Sequence, residues 1–240
     1  MTRILLLGHG RMGQLVESLA PSYGATVAGV IDERSGERAI ADGNFGDVDA
    51  AIDFTLAEAV VKNLPQLAAR KINVVIGTTG WQSHEAAMRE LVERTGIGVL
   101  AASNFSLGMN VFQLAVEEAS RHFARHDEFG AWIHEAHHTM KKDAPSGTAL
   151  TLKAGMVGAG YPRPIDVSST RVGSLPGTHT VGFDGPSETI ELTHTVRDRA
   201  VFARGALTAA TWLVGKRGWF SVRDLLSDTD GTREPGPGIR

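Results

Sequence analysis

No cysteine occurs anywhere in the 240 residues. Disulfides, thiolate metal sites and cysteine nucleophiles are therefore excluded. Long apolar runs are missing too: none reaches the ~18 residues that suggest a membrane span. The N-terminal run Ile4-Leu5-Leu6-Leu7 is short and stops at glycine, which marks a buried first strand rather than a secretory signal. Charge of one dominant sign is also lacking. The formal net charge is −3, so there is no general attraction to nucleic acid or to an anionic membrane. The expected location is the cytoplasm, although absent cysteine is also compatible with export.

What is present is a repeating pattern. Continuous apolar runs at 3–8, 26–32, 48–55, 72–80 and 97–105 alternate with helical stretches at 11–24, 56–71 and 83–96. Continuous rather than alternating apolar runs fit strands covered on both faces. Their alternation with helices predicts a parallel sheet wound on both sides. The pattern changes near residue 105. A helical period spans 106–126, with Ser106 as candidate N-cap, and a strand is expected within 128–138. The β-branched stretch 164–198, broken by Gly-Pro turns, reads as three strands of an antiparallel or mixed sheet. A helix follows at 200–216, then a last apolar segment at 219–227. The tail 230–240, rich in Gly, Pro and charge, is expected to be loose.

Gly8-His9-Gly10-Arg11-Met12-Gly13 has the spacing G-x-G-x-x-G. It follows a strand and opens a helix, the context in which glycines serve a dinucleotide. Gly8 allows the tight turn, Gly10 lets backbone approach a pyrophosphate, and Gly13 permits close helix packing. Asp32 ends the second strand, 19 residues past Gly13. Its carboxylate can accept from ribose hydroxyls and would repel a 2′-phosphate. Glu33 adds to that repulsion, while Arg34 could offset it. The expectation is NADH preferred, with NADPH tolerated.

His134-Glu135-Ala136-His137-His138 satisfies H-E-x-x-H, a zinc pattern when it lies on a helix. Here Gly130, Trp132 and Ile133 suggest a strand. On a strand, His134 and His138 would stand roughly 13 Å apart, too far to share one zinc ion with bonds near ~2 Å. No metal is expected, and His134 is read as structural. The stretch makes better sense as an anion cradle. His137 and His138 end a strand, Lys141 and Lys142 occupy a loop, and Ser146 caps a helix whose Gly147 and Thr148 N–H groups face the same pocket. Imidazole can exchange a proton near neutral pH and ammonium can neutralise a carboxylate.

The run "EAHHTMKKDAPSGTA" at 135–149 closely resembles the signature of the 4-hydroxy-tetrahydrodipicolinate reductase family, formerly the dihydrodipicolinate reductases. "GRMG" at 10–13, "DFT" at 53–55, "GTTG" at 77–80, "SNFSLGMN" at 103–110 and "RAVFARGAL" at 199–207 are similar to family segments in the family's order. The resemblance implies His137 as catalytic proton donor and acceptor, with Lys141 as its partner. It implies His138, Ser146, Gly147 and Thr148 as holders of the substrate carboxylates. For the cofactor it implies Gly8, Gly10, Arg11, Met12 and Gly13 at the pyrophosphate, Asp32 at the ribose, and Phe54 and Thr55 nearby. Gly77, Thr78 and Thr79, with Ala102, Ser103, Asn104 and Phe105, would lie on the nicotinamide side. Arg199 and Phe202 resemble a hinge that touches the cofactor. The chain departs from the family in three places. Its glycine loop is one residue shorter than in many members, position 33 is Glu where some relatives are basic, and Ser103 replaces Pro or Ala.

The implied reaction is hydride transfer to a cyclic unsaturated dicarboxylate in the diaminopimelate–lysine pathway, with loss of water from the hydroxylated precursor. The implied fold is α/β: a Rossmann dinucleotide-binding domain over 1–104 and 205–240, plus an α+β domain with a mixed sheet over 105–204 for substrate and tetramerisation. The site is expected between them, and the assembly is expected to be a homotetramer. Two other classes share the scaffold: another dehydrogenase, of the aspartate-semialdehyde or homoserine type, and a non-catalytic NAD-binding sensor. An aspartate-semialdehyde dehydrogenase would need the missing cysteine. A non-catalytic NAD-binding sensor would have no reason to keep His137, Lys141 and Ser146-Gly147-Thr148 together.

Overall fold

A computed structural model describes residues 1–36 and 38–228. The tail at 230–240, expected to be loose, lies outside the described residues. The chain divides into two compact units, one of Met1–Leu107 with the residues from Ala200 onward, the other of Gly108–Arg199.

The first unit begins with β1 (Thr2–Leu7), α1 (Arg11–Leu19), β2 (Ala25–Ile31), α2 (Ala39–Asp42), β3 (Ala50–Asp53), α3 (Ala57–Ala69), β4 (Asn73–Ile76), α4 (Glu85–Thr95) and β5 (Gly98–Ala101). The second contains α5 (Leu107–Phe123), β6 (Gly130–His137), α6 (Gly147–Gly158), β7 (Ile165–Arg171), β8 (Thr178–Asp184) and β9 (Thr189–Thr195). The chain then completes the first unit with α7 (Ala200–Leu213), β10 (Gly218–Phe220) and α8 (Val222–Ser227).

The first unit carries a six-stranded sheet in the order β10-β5-β4-β3-β1-β2, parallel throughout. The order reverses at β1, which pairs with β2 on one side and β3 on the other. This is the switch point where doubly wound sheets bind ligands. Period-two geometry explains the unbroken apolar run of β1. Ile4 and Leu6 pack with Val16 of α1 and with Ala203, Ala206, Leu207 and Ala210 of α7. Leu5 and Leu7 pack on the opposite face with Val60 and Leu64 of α3 and Val92 of α4.

Three local differences from the sequence expectation have clear causes. The helix expected to 24 becomes a 3₁₀ turn at Ala20–Tyr23, where Pro21 enters and Gly24 takes a left-handed conformation. The polar segment after Asp32 holds one helical turn, α2, too short to show a period. The segment 219–227 splits into β10 and α8 at Ser221, whose hydroxyl and Asp224 form a capping box.

The second unit has a four-stranded mixed sheet in the order β7-β6-β8-β9. β6 runs parallel to β7 and antiparallel to β8. α5 and α6 cover one face: Met109, Phe112, Val116, Ala149, Leu152 and Met156 pack on Ala131, Ile133, Val181 and Phe183. The other face is richer in hydroxyls, with Thr180 bonded to Thr193 and His134 to Thr170. His134 is thus a sheet-face residue on a strand, and residues 134–138 lack the helical geometry that an H-E-x-x-H zinc site needs.

Close packing of α7 depends on Gly205. A Cβ there would lie 1.7 Å from the carbonyl oxygen of Phe105, a backbone atom that cannot rotate away. Gly205→Ala is expected to cost about 3 kcal/mol, or roughly 6–12 °C in Tm for a chain of this size. Gly158→Ala, where nothing lies within 4 Å of the added carbon, should leave Tm unchanged or slightly higher in the same thermal scan.

Candidate active site

The helix-covered face of β6 changes character along the strand. Ala131 and Ile133 belong to the core, and the next two residues on the same face are Glu135 and His137. The neighbouring strands change at the same level. Glu135 pairs with Ser169 of β7 and His179 of β8, His137 pairs with Arg171, and His179 pairs with His194 of β9. A polar band therefore crosses all four strands at one end of the sheet.

Its centre is Glu135, 0% exposed. Its carboxylate accepts from Nδ1 of His137 and from Arg171, whose Nη2 lies 2.7 Å and Nη1 2.9 Å away. The backbone N–H of Ser146, 3.1 Å away, is a further donor. Burial pushes this carboxyl up, but the bonds from Arg171, Ser169 and His137 outweigh it and bring it down to about 2. His137 is lowered too, but here burial is the main cause. Glu135 partly restores it, and the Lys141 and Arg171 cations lower it further.

His179 lies 5.0 Å from His137, ring edge to ring face. Burial, with the nearby His137, brings it down to about 4, so it is neutral at pH 7. Its Nε2 is 3.1 Å from the Ser146 hydroxyl. That hydroxyl also caps α6 by accepting from the N–H of Ala149. Ser146 was expected among the substrate contacts. Its side chain instead turns inward, because the cap and His179 consume its hydrogen bonds. Lys141 forms an ion pair with Asp143 at 2.8 Å, and the Gly147 N–H, expected to be open, faces the same Asp143 carboxylate at 3.4 Å. Asp143 therefore holds the donors that an incoming carboxylate would use. His138 and Thr148 are partly exposed beside them.

In the first unit, the turn after β1 opens onto a cavity of about 650 Å³ lined by Gly8, Gly10, Asp32, Arg34, Phe54 and Thr55, among others. Gly8 has φ +88, and a Cβ on it would lie 2.6 Å from the Phe54 carbonyl oxygen; one on Gly13 would lie 2.1 Å from the carbonyl oxygen of Gly8. Those two glycines answer to the protein's own packing. Gly10 has nothing within 4 Å, so the space it leaves is available to a ligand. It also starts α1 without a side-chain cap, which leaves helix N–H groups for an anion. The residues present thus fit a dinucleotide. Arg11 is exposed at the first turn and Met12 packs against the core. Asp32 already accepts from the Arg34 N–H at 2.9 Å through Oδ1.

Gly77 is required by Phe54, whose ring would lie 2.1 Å from an added Cβ. Thr79 and Ser103 are exposed, Ala102 is partly so, and Asn104 accepts from the N–H of Ser106 at 2.8 Å. Thr78, Ala102 and Ser103 line a second cavity of about 400 Å³ with Trp81 and Trp219. Two expected cofactor contacts turn elsewhere. The Thr78 hydroxyl points to Asp53 and to the Thr55 carbonyl. The Phe105 side chain, 2% exposed, is part of the core. Arg199 is exposed ahead of α7 and Phe202 is partly buried on it. Sequence reasoning missed Asp53, Glu135, Arg171, His179 and His194. Buried Asp53 accepts from Thr55 and, at 3.0 Å, from Asn63. It ties the turn after β3 to α3, and burial pushes its carboxyl up.

The displaced His179 makes stability depend on pH. Its folded value of about 4 lies below the ordinary 6.5, so the unfolded chain binds the proton first. Its contribution is complete above pH 6.5 and is lost as pH falls toward 4, by about 3 kcal/mol in all. Tm should fall across that window, and His179→Gln should flatten the curve. An equally steep curve in the variant would contradict the assignment.

Comparison with known proteins reaches both units. A model described as "Dihydrodipicolinate reductase, N-terminus" matches residues 2–105, and its C-terminal counterpart matches residues 108–226. The 4-hydroxy-tetrahydrodipicolinate reductase of Christiangramia forsetii is 36% identical over 236 residues, covering 94% of this chain and 98% of that protein. The protein of the same name from Methanoregula boonei is 36% identical over 253 residues, with the same coverage. Among solved structures, the dipicolinate-bound dihydrodipicolinate reductase from Paenisporosarcina sp. TG-14 aligns with a TM-score of 0.76 at 21% identity, over 92% of this chain and 97% of that one. The likeness in fold is the expected one: a Rossmann-type parallel sheet and a separate mixed-sheet α+β unit. With family models covering nearly every residue from 2 to 226 and relatives matched over almost their full length, the chain belongs to the dihydrodipicolinate reductase family.

Proposed function

We propose that this protein reduces 4-hydroxy-tetrahydrodipicolinate to tetrahydrodipicolinate in the diaminopimelate–lysine pathway, using a reduced nicotinamide nucleotide. The observation that carries the reading is the polar band at the end of β6. It sets an imidazole, an ammonium group and a guanidinium around one helix start, on a family scaffold whose other unit carries a glycine cradle.

The reduced nicotinamide, when bound, supplies hydride. Gly8, Gly10 and Gly13 shape its phosphate site, and Asp32 serves the ribose. The exposed pair Glu33 and Arg34 sits on the same rim. Asp32 with Glu33 disfavours a 2′-phosphate and Arg34 tempers that effect, so NADH is preferred and NADPH tolerated.

The substrate is a dianion, and Lys141, His138 and the start of α6 receive its carboxylates. Reaching Lys141 means replacing Asp143 as its partner, an exchange of one carboxylate for another that costs little Coulomb energy. Reduction places an electron pair on the substrate ring, and that pair must be protonated. His137 delivers the proton, and the Lys141 charge stabilises the electron density while it builds. The exposed β-rich face of the second unit joins four copies, so light scattering should give four times the chain mass. The protein works in the cytoplasm.

A coupled assay tests this reading, with dihydrodipicolinate synthase generating the substrate and NADH absorbance followed. The wild type should consume NADH with a lower KM than for NADPH. His137→Gln should lower kcat by about 10²–10⁴-fold, with NADH affinity unchanged by fluorescence titration. Nucleotide binding without turnover in the wild type would favour a sensor. A wild-type kcat in the variant would remove His137 from the chemistry.

A further inference from the structure

The most deeply buried charge in the second unit has no part in the chemistry above. Glu135 is 0% exposed, and leaving a carboxylate there is costly unless it is paired. Its donors come from three elements: His137 on β6, Arg171 on β7, and the backbone of Ser146 at the start of α6. The two-pronged contact with Arg171 keeps the carboxylate an acceptor. Nδ1 of His137, facing that acceptor, must therefore carry hydrogen. A neutral imidazole has only one N–H, so the lone pair falls on Nε2. The Nε2 edge is kept clear by Gly177 on the loop before β8, where an added Cβ would lie 2.9 Å from that nitrogen.

We infer that Glu135, clamped by Arg171, is the positioning residue that fixes His137 in its Nδ1–H form and makes Nε2 the atom that exchanges the proton with substrate. This rests on the reading of His137 as the proton donor. The same carboxylate has a second effect. The groups acting on the His137 ring are Glu135 on its own strand, Arg171 on β7, His179 on β8 and Lys141 in the following loop. Lys141 and Arg171 oppose a second proton on the ring, and His179 is neutral at pH 7. Glu135 is the anion that favours it. Without Glu135, the imidazolium that donates the proton would form only at lower pH.

The test has two arms. In uniformly ¹⁵N-histidine-labelled wild type near pH 8, the His137 signals, assigned by their loss in His137→Gln, should show the proton on Nδ1 and a bare Nε2. The opposite pattern overturns the inference without any variant having to fold. In the second arm, Glu135→Gln should lower kcat on the order of 10²-fold, with KM for NADH within about twofold. The limb where kcat falls with rising pH should move to lower pH, and Glu135→Asp, which keeps the charge, should recover part of the activity. An ion pair with a purely structural role would lower Tm while leaving the tautomer and the pH limb in place, and that result overturns the inference. If the wild type fails to turn over dihydrodipicolinate, the activity reading falls, whereas the tautomer measurement still reports on Glu135.

Discussion

A carboxylate shut away from water at the end of a strand has to be surrounded by donors, and much of the second unit is arranged to meet that demand. Glu135 draws a guanidinium from β7, an imidazole from its own strand and a backbone N–H from the first turn of α6. Two of those three donor residues are held elsewhere as well. Arg171 is also bonded to the Asp143 carbonyl, and Ser146 is committed to its cap and to His179. The loop carrying Lys141 is thereby anchored after the lysine, at Asp143 by Arg171 and at Ser146 by Glu135. Removing one partner of so dry a pair leaves the other charge uncompensated, which is why such networks are costly to break.

The first unit obeys a different constraint, close approach of backbone. Gly8, Gly13, Gly77 and Gly205 each stand where a Cβ would meet a neighbour at 2.6 Å or less. These contacts bring α1 against the turn after β1, Phe54 over β4's exit and α7 against the chain at Phe105. Gly10 differs because no protein atom competes for its space. Asp53, buried at the switch of the sheet, braces the turn that carries Phe54 and Thr55 with bonds to Thr55 and Asn63. Gly8, Phe54 and Thr55 from these turns line the cavity of the first unit, together with Asn63.

Much of this was legible in the sequence where the signal is local. The apolar runs of β1 to β5 are continuous because both sheet faces are covered, and the Gly8-to-Gly13 spacing sits where a strand meets a helix. The strand at β6 could be told from a helix by Trp132 and Ile133 beside Gly130, and Ser146 was a readable cap. What that cap's hydroxyl would face was not readable, since His179 lies 33 residues further on. Arg171 is 36 residues from Glu135, and its pairing follows from strand register, which no short pattern encodes. Glu135 did leave a trace, standing two residues before His137 on the same face of a strand. The inward turns of Thr78 and Phe105 depend on Asp53 and on the core around α7, again distant in sequence.

The account stands on Glu135 being an anion inside the protein. A ¹³C carboxyl titration of the labelled protein measures this directly. The Glu135 resonance should stay at its ionised position as pH is lowered, and begin to move only toward about 2. A midpoint at or above the ordinary 4.5 would mean a neutral acid at that position and would contradict the account.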